Sequence, residues 1–223
     1  MSAIGFLHTA ESHVETFGAL VEDLEPARVH VHAVRPDLLE RARLHGPDDE
    51  TLAEELRGVL LDLGERDARV VVCTCSTLGG VFEQCGSDAG IDVLRVDRPM
   101  AELAVRSGSR IGLVAALEST LPPTRALLYD AAVAAGKEIT LVDAPCFDAW
   151  RRFEQGDIEG YHREVAGCVD ALDATIEVVV LAQASMAGAT ALVKTDRVVL
   201  SSPRTAVQAA LRLGAAADRK VRR

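Results

Sequence analysis

The chain has 223 residues, 48% of them hydrophobic and 26% charged, the balance of an ordinary globular protein with room for one large domain or two small ones. Lys and Arg number 24 against 34 Asp and Glu, a formal charge of -10 that excludes a general nucleic-acid or anionic-membrane binder, because those need a basic field. Aromatics are only 4%, so the core has to be aliphatic. The opening MSAIGFLHTAES has no basic start, and no apolar run approaches about 18 residues, so neither a signal peptide nor a membrane span is expected. A reducing cytoplasm is the expected compartment, and there Cys73, Cys75, Cys85, Cys146 and Cys168 read as core or catalytic thiols rather than disulfides. The Cys-x-Cys at Cys73 and Cys75 has no second pair, so no metal is expected.

Short apolar runs bounded by turn residues predict strands near 3–7, 27–32, 69–74, 91–95, 110–115, 138–142, 176–182 and 197–200, with helical patterns between them. The first strand leads into His8-Thr9-Ala10-Glu11-Ser12, where Ser12 is a helix-cap candidate and Thr9 a hydrogen-bond donor to a ligand. His8 reads as a lone histidine at a strand end, structural or catalytic. His30 and His32 share one face of the second strand, while His13, His45 and His162 fall in helical patterns and read as surface residues. In 50–64, Leu52, Leu56, Val59, Leu60 and Leu63 line one helical face.

The third strand runs through Val70-Val71-Val72-Cys73 into Thr74-Cys75-Ser76-Thr77 and a glycine pair, with a helix start expected from Val81 to Cys85. That places Cys75, Ser76 and Thr77 at a strand's carboxyl end near a helix N-terminus, where free N–H groups favour a carboxylate and lower a thiol's pKa. The alternative is that Cys73 and Cys75 fill core and Ser-Thr caps a helix. In the second part of the chain, Ala115-Ala116-Leu117-Glu118-Ser119-Thr120 follows a strand, with Ser119 and Thr120 as donors or caps and Pro122-Pro123 suited to a first turn that Gly136 ends. Cys146 reads as a turn residue before a helix. Leu181-Ala182-Gln183-Ala184-Ser185-Met186-Ala187-Gly188 is a second strand-to-turn passage, with Gln183 a ligand contact or an interdomain hydrogen-bonding group. Ser202-Pro203 opens a last helix that Gly214 is expected to end, leaving 218–223 frayed and solvated.

The chain repeats itself. IGFLHTAESHVETFGALVED from Ile4 aligns with IGLVAALESTLPPTRALLYD from Ile111, and RVVVCTCSTLGG from Arg69 aligns with EVVVLAQASMAG from Glu177. The pairing sets Gln183 opposite Cys75 and Ser185 opposite Thr77. It predicts an α/β protein of two pseudo-symmetric subdomains, each a mainly parallel sheet flanked by helices, with the active site in the cleft between them. The expected halves are 1–97 with 206–223, and 98–205.

These turns, in this order and spacing, resemble the aspartate/glutamate/hydantoin racemase superfamily. Val71 to Gly80 looks like that family's Cys-Asn-Thr turn, Val178 to Gly188 like its second cysteine turn, and Ile4 to Phe17 and Ile111 to Thr124 like two substrate loops. The resemblance implies a cofactor-independent racemase or isomerase acting at the α-carbon of a small carboxylate, with no cofactor. It implies Cys75 and Gln183 as catalytic residues, and His8, Thr9, Ser76, Thr77, Ser119, Thr120, Ala184 and Ser185 as substrate contacts. A homodimer is the commonest assembly for such a protein. One departure matters, because Gln183 stands where the second cysteine belongs. An amide supports negative charge but does not trade protons near neutral pH. The alternatives are racemisation with His8 or Glu118 as second base, decarboxylation of a malonate-type acid with one proton-donating cysteine, a covalent cysteine isomerase, or a carboxylate-binding module without catalysis.

Overall fold

The computed structural model describes residues 1–46 and 49–221, and contacts divide it into two units, Met1–Val96 with Pro203–Arg223, and Asp97–Ser202. The first unit runs β1 (Ala3–His8), α1 (Ser12–Leu24), β2 (His30–Val34), α2 (Pro36–His45), α3 (Glu50–Glu65), β3 (Ala68–Cys73), α4 (Ser76–Ala89) and β4 (Asp92–Arg95), and α9 (Ser202–Val221) closes it. The second runs α5 (Arg98–Ser107), β5 (Arg110–Ala115), α6 (Leu121–Ala134), β6 (Thr140–Pro145), α7 (Phe147–Glu154), α8 (Ile158–Asp170), β7 (Val178–Leu181) and β8 (Val198–Leu200). The sheets are ordered β2-β1-β3-β4 and β6-β5-β7-β8, and every pairing is parallel. The repeat is therefore a repeat of topology. Leu7 pairs with Cys73 in the first sheet as Val114 pairs with Leu181 in the second.

Parallel strands covered on both faces are apolar throughout, which is why β3 and β7 read as unbroken valine runs. In the first unit Leu7, Val71 and Cys73 join the core of Leu52, Leu56, Leu60 and Leu63 from α3. The alternate residues Ile4, Phe6 and His8 fall on the other face, where Phe6 and His8 meet Phe17 of α1. The α3 face forms as predicted, and Leu52, Leu56, Val59, Leu60 and Leu63 are all buried.

Several local expectations are corrected. The second strand begins at His30 rather than 27, since Ile4 pairs with His30. The helix after β3 begins at Ser76, directly after Cys75, rather than at Val81. Gly214 does not end α9. A Cβ there would lie 2.8 Å from Ile4 Cδ1, so the glycine lets the helix pass close over β1. The tail is not simply solvated, because Asp218 accepts from the Ser2 backbone and hydroxyl and from buried Arg28. Arg222 and Arg223 lie outside the described residues. Cys146 and Cys168 were expected as thiols, yet they form a disulfide, because the packing of α7 on α8 brings their Cα atoms to 6.3 Å. Cys73, Cys75 and Cys85 are buried and take part in no disulfide among the described residues.

Candidate active site

In each sheet the chain leaves the first central strand toward one edge and returns beyond it on the other side. The switch falls between β1 and β3 in the first unit and between β5 and β7 in the second. Ligands of open parallel sheets bind outside the carboxyl ends of strands at such a switch. The turns after these four strands hold the predicted residues: 8–12 and 74–77 in the first unit, 116–120 and 182–186 in the second.

In the first unit Cys75 precedes the first residue of α4, in extended conformation. The N–H groups of Leu78 and Thr77 and the hydroxyls of Thr9 and Thr77 favour its thiolate, and the Leu78 N–H also donates to Cys75 O at 3.2 Å. Burial pushes the thiol above its ordinary value, and those four donors pull against it without prevailing. This corrects the expectation of a lowered pKa: the helix N-terminus acts as foreseen, but the loss of water outweighs it. The thiol is protonated at rest, and its surroundings are built to receive the thiolate when the proton leaves. Ser76 and Thr77 are buried beside it. Gly79 is needed on the outer side of this turn, since a Cβ there would come within 2.9 Å of Arg95 Cβ.

His8 is not a lone histidine. It is fully buried, Nδ1 lies 2.9 Å from Thr74 Oγ1, and Nε2 lies 2.8 Å from His32 Nδ1. Both ring nitrogens are engaged, and burial beside His13 and His32 pushes its pKa down to about 2. With no free lone pair, it fits neither a second base nor a direct substrate contact. His13, expected on the surface, is buried with Phe17, Gly18 and Val21 on the inner face of α1, and burial pushes it down to about 4. Ser12 is the first residue of α1 and makes no capping bond.

In the second unit Gln183 occupies the position of Cys75, extended and at the head of a 3-10 turn over Ala184–Ala191. Its Oε1 accepts from Ala116 N–H at 2.7 Å. That bond fixes the amide orientation, so Nε2 presents donors only. Among the described residues Nε2 is buried without a protein partner, as are Ser119 Oγ and Thr124 Oγ1. A buried unpaired donor costs about 1–3 kcal/mol, so each of these three groups calls for an acceptor. Ser119 is not a cap. It lies with Thr120 in a 3-10 turn leading into α6, whose first turn carries the two prolines. Glu118, the other second-base candidate, is exposed on that turn. Ala184 is buried, and Ser185 Oγ is 2.9 Å from Tyr161 OH while His162 Nε2 donates to Ser185 O at 2.9 Å. Sequence reasoning missed Thr74, Thr124 and His13. Nothing local marks them, because each gains its role from a partner on another element or from burial.

No family model matches the sequence, and no curated protein matches it significantly. Solved structures do match in fold. Picrophilus torridus aspartate racemase superposes with a TM-score of 0.71 at 12% identity, over 96% of this chain and 94% of that one. Glutamate racemase from Francisella tularensis, in complex with D-glutamate, gives 0.70 at 14% identity over 95% and 80%. Allantoin racemase from Klebsiella pneumoniae gives 0.63 at 16% identity over 97% and 89%. The two-unit α/β fold of this chain is the fold of those racemases.

Proposed function

We propose that this protein is a cofactor-independent enzyme of the aspartate/glutamate racemase type, acting at the α-carbon of a small carboxylate with Cys75 as its acid/base. The observation that carries this reading is the buried thiol at the head of α4, held protonated by burial while Leu78 N–H, Thr77 N–H and the hydroxyls of Thr9 and Thr77 favour its thiolate. Such a group gives up a proton to a carbanion and is stabilised once it has done so. The shared fold with aspartate, glutamate and allantoin racemases supports the class of substrate. An α-proton beside a carboxylate is weakly acidic, so the enolate-like charge has to meet fixed donors. We assign that role to Ser76, Thr77, Ser119 and Thr120, with the Nε2 of Gln183 and the backbone and hydroxyl of Ala184 and Ser185. Thr124 joins them because its buried hydroxyl is unpartnered.

A second reading is favoured by Gln183. Its amide offers hydrogen-bond donors and no exchangeable base, so one cysteine faces chemistry that needs two bases for racemisation. Decarboxylation of a malonate-type acid forms the carbanion without a base and needs a single proton donor. The test is one incubation in deuterated water with two panels, amino acids and dicarboxylates in the first and disubstituted malonates in the second. Exchange of the α-hydrogen supports the racemase type, and release of carbon dioxide supports the lyase. Cys75→Ser has to abolish either activity while leaving the fold intact. If neither panel reacts, a carboxylate-binding module takes the place of both readings.

A further inference from the structure

Four of the chain's six histidines lie along one hydrogen-bonded row in the first unit. His30 Nδ1 and His32 Nε2 are 2.7 Å apart, His32 Nδ1 and His8 Nε2 are 2.8 Å apart, and His8 Nδ1 is 2.9 Å from Thr74 Oγ1. His13 Nδ1 stands 3.5 Å from the same hydroxyl. The row runs from edge strand β2 through β1 to Thr74, the residue between the end of β3 and Cys75. Phe6 stacks on both His8 and His32, and Phe17 leans on His8 and His13.

The order of hydrogens in this row is determined by its inner end. Thr74 Oγ1 donates to Leu7 O at 3.0 Å, and a carbonyl only accepts, so the single hydroxyl hydrogen is committed there. His8 therefore donates from Nδ1. A neutral imidazole carries one N–H, so His8 Nε2 accepts from His32 Nδ1–H, and His32 Nε2 accepts from His30 Nδ1–H. All the bonds run one way, and they require His8 and His32 to be neutral, because each accepts through Nε2 and a doubly protonated ring has no acceptor nitrogen. The groups acting on the row do not favour a proton on it. His13 reaches it from α1, His30 and His32 act on it from β2, and Arg66, after α3, bears on His32 and donates to His32 O at 3.1 Å. Among the described residues no carboxylate is one of these groups, and Asp62 meets Arg66 at 3.7 Å instead.

Two other uses of such a row fail. Among the described residues no group of three His, Cys, Asp or Glu side chains is placed to hold a metal. A proton wire has to end on a group that passes the proton on, and this row ends on a peptide carbonyl. What remains is a clamp on the backbone that carries Cys75. We propose that His8 and His32 are positioning residues for Cys75: the neutral one-way row fixes Thr74 against Leu7 O, so holding the 74–77 turn with its thiol donors, and uptake of a proton by the row releases it. The functional half of this inference rests on Cys75 being the reacting group, whereas the order of hydrogens does not.

The test therefore has two arms on the full chain. Imidazole nitrogen NMR on histidine-labelled protein reads each tautomer directly. Neutral Nδ1–H forms of His8 and His32 are expected at neutral pH, and an Nε2–H or cationic form of either overturns the row. The second arm follows Cys75 with a dipyridyl disulfide, which remains reactive in acid, using peptide mapping to separate it from Cys73 and Cys85 and a simple thiol as reference. His32→Leu removes the donor to His8 and should change the Cys75 rate by about threefold or more. His32→Asn places an amide donor near the Nδ1 position and cannot titrate. It should restore the wild-type rate at neutral pH and abolish the change in relative rate that wild type shows toward about pH 4, the value to which burial pushes His32. A wild type with no such change, or an Asn variant that fails to restore the rate, overturns the positioning role. If His32→Leu does not fold, the Asn variant decides alone. Confirmed tautomers with no turnover of any carboxylate would leave the clamp standing and remove the enzyme.

Discussion

Taking the protein from about pH 8 to about pH 5 should cost it about 4 kcal/mol of folding stability, with His8 and His13 responsible. In the unfolded chain both titrate near the ordinary 6.5, whereas in the fold burial holds His8 down to about 2 and His13 to about 4. Between these values the unfolded state binds protons that the native state refuses, so stability falls as pH falls below 6.5. About pH 5 lies some 1.5 pH units below the unfolded value of each ring, and at about 1.4 kcal/mol per pH unit each contributes about 2 kcal/mol. His32, also held down to about 4, adds in the same direction but is only partly buried, so solvent screening keeps it out of the sum. Carboxylates do not confuse this window. Asp37, Asp49, Asp157, Asp173, Asp218 and Glu177 are held below ordinary values of 3.8 and 4.5, so what they contribute is lost mainly at lower pH. Urea unfolding at stepped pH measures the effect, and His13→Phe should remove about half of it. A transition midpoint that stays level or rises between about pH 7 and about pH 5 would refute the argument, because it would mean the rings are charged in the fold.

Thr77→Val removes a hydroxyl from the Cys75 thiolate, and at about 1.5 kcal/mol for a bond to a charged group its apparent pKa should rise by about one unit. The pH dependence of alkylation reads this directly, and an unchanged or lower value would show that the hydroxyl does not serve the sulfur. Gln183→Leu leaves the buried Ala116 N–H without an acceptor and should cost about 1–3 kcal/mol in chemical denaturation. Gln183→Glu keeps that acceptor but replaces the donors, so carboxylate binding measured by calorimetry should fall about tenfold or more. Gly79→Ala should destabilise by about 1–3 kcal/mol, because the new methyl meets Arg95 Cβ, an atom fixed to the backbone of β4. Gly58→Ala is the contrast, with nothing within 4 Å and a mid-helix position in α3, and should gain about 0.5–1 kcal/mol. Equal thermal shifts for the two glycine variants would count against the packing argument.

What the amino-acid order determines by itself is whatever depends on neighbours along the chain. The valine runs at 70–72 and 178–180 declare buried parallel strands because both faces of such strands are apolar. The α3 stripe is legible because a period of 3.6 residues is a local property. The turn 74–77 is legible for the same reason, since a strand, a small polar passage and two glycines follow one another directly. The tertiary structure decides what depends on partners far along the chain. His8, His32 and Thr74 are separated by up to 66 residues, and only the order β2-β1-β3 brings them into one row. The helix dipole at Cys75 is local and was foreseen, while the burial that outweighs it is set by every element packed around the turn. Gln183 as a residue was visible opposite Cys75. That it offers only donors was not, because the Ala116 N–H that claims its oxygen directly follows β5, the strand paired with β7 and 67 residues away in the chain.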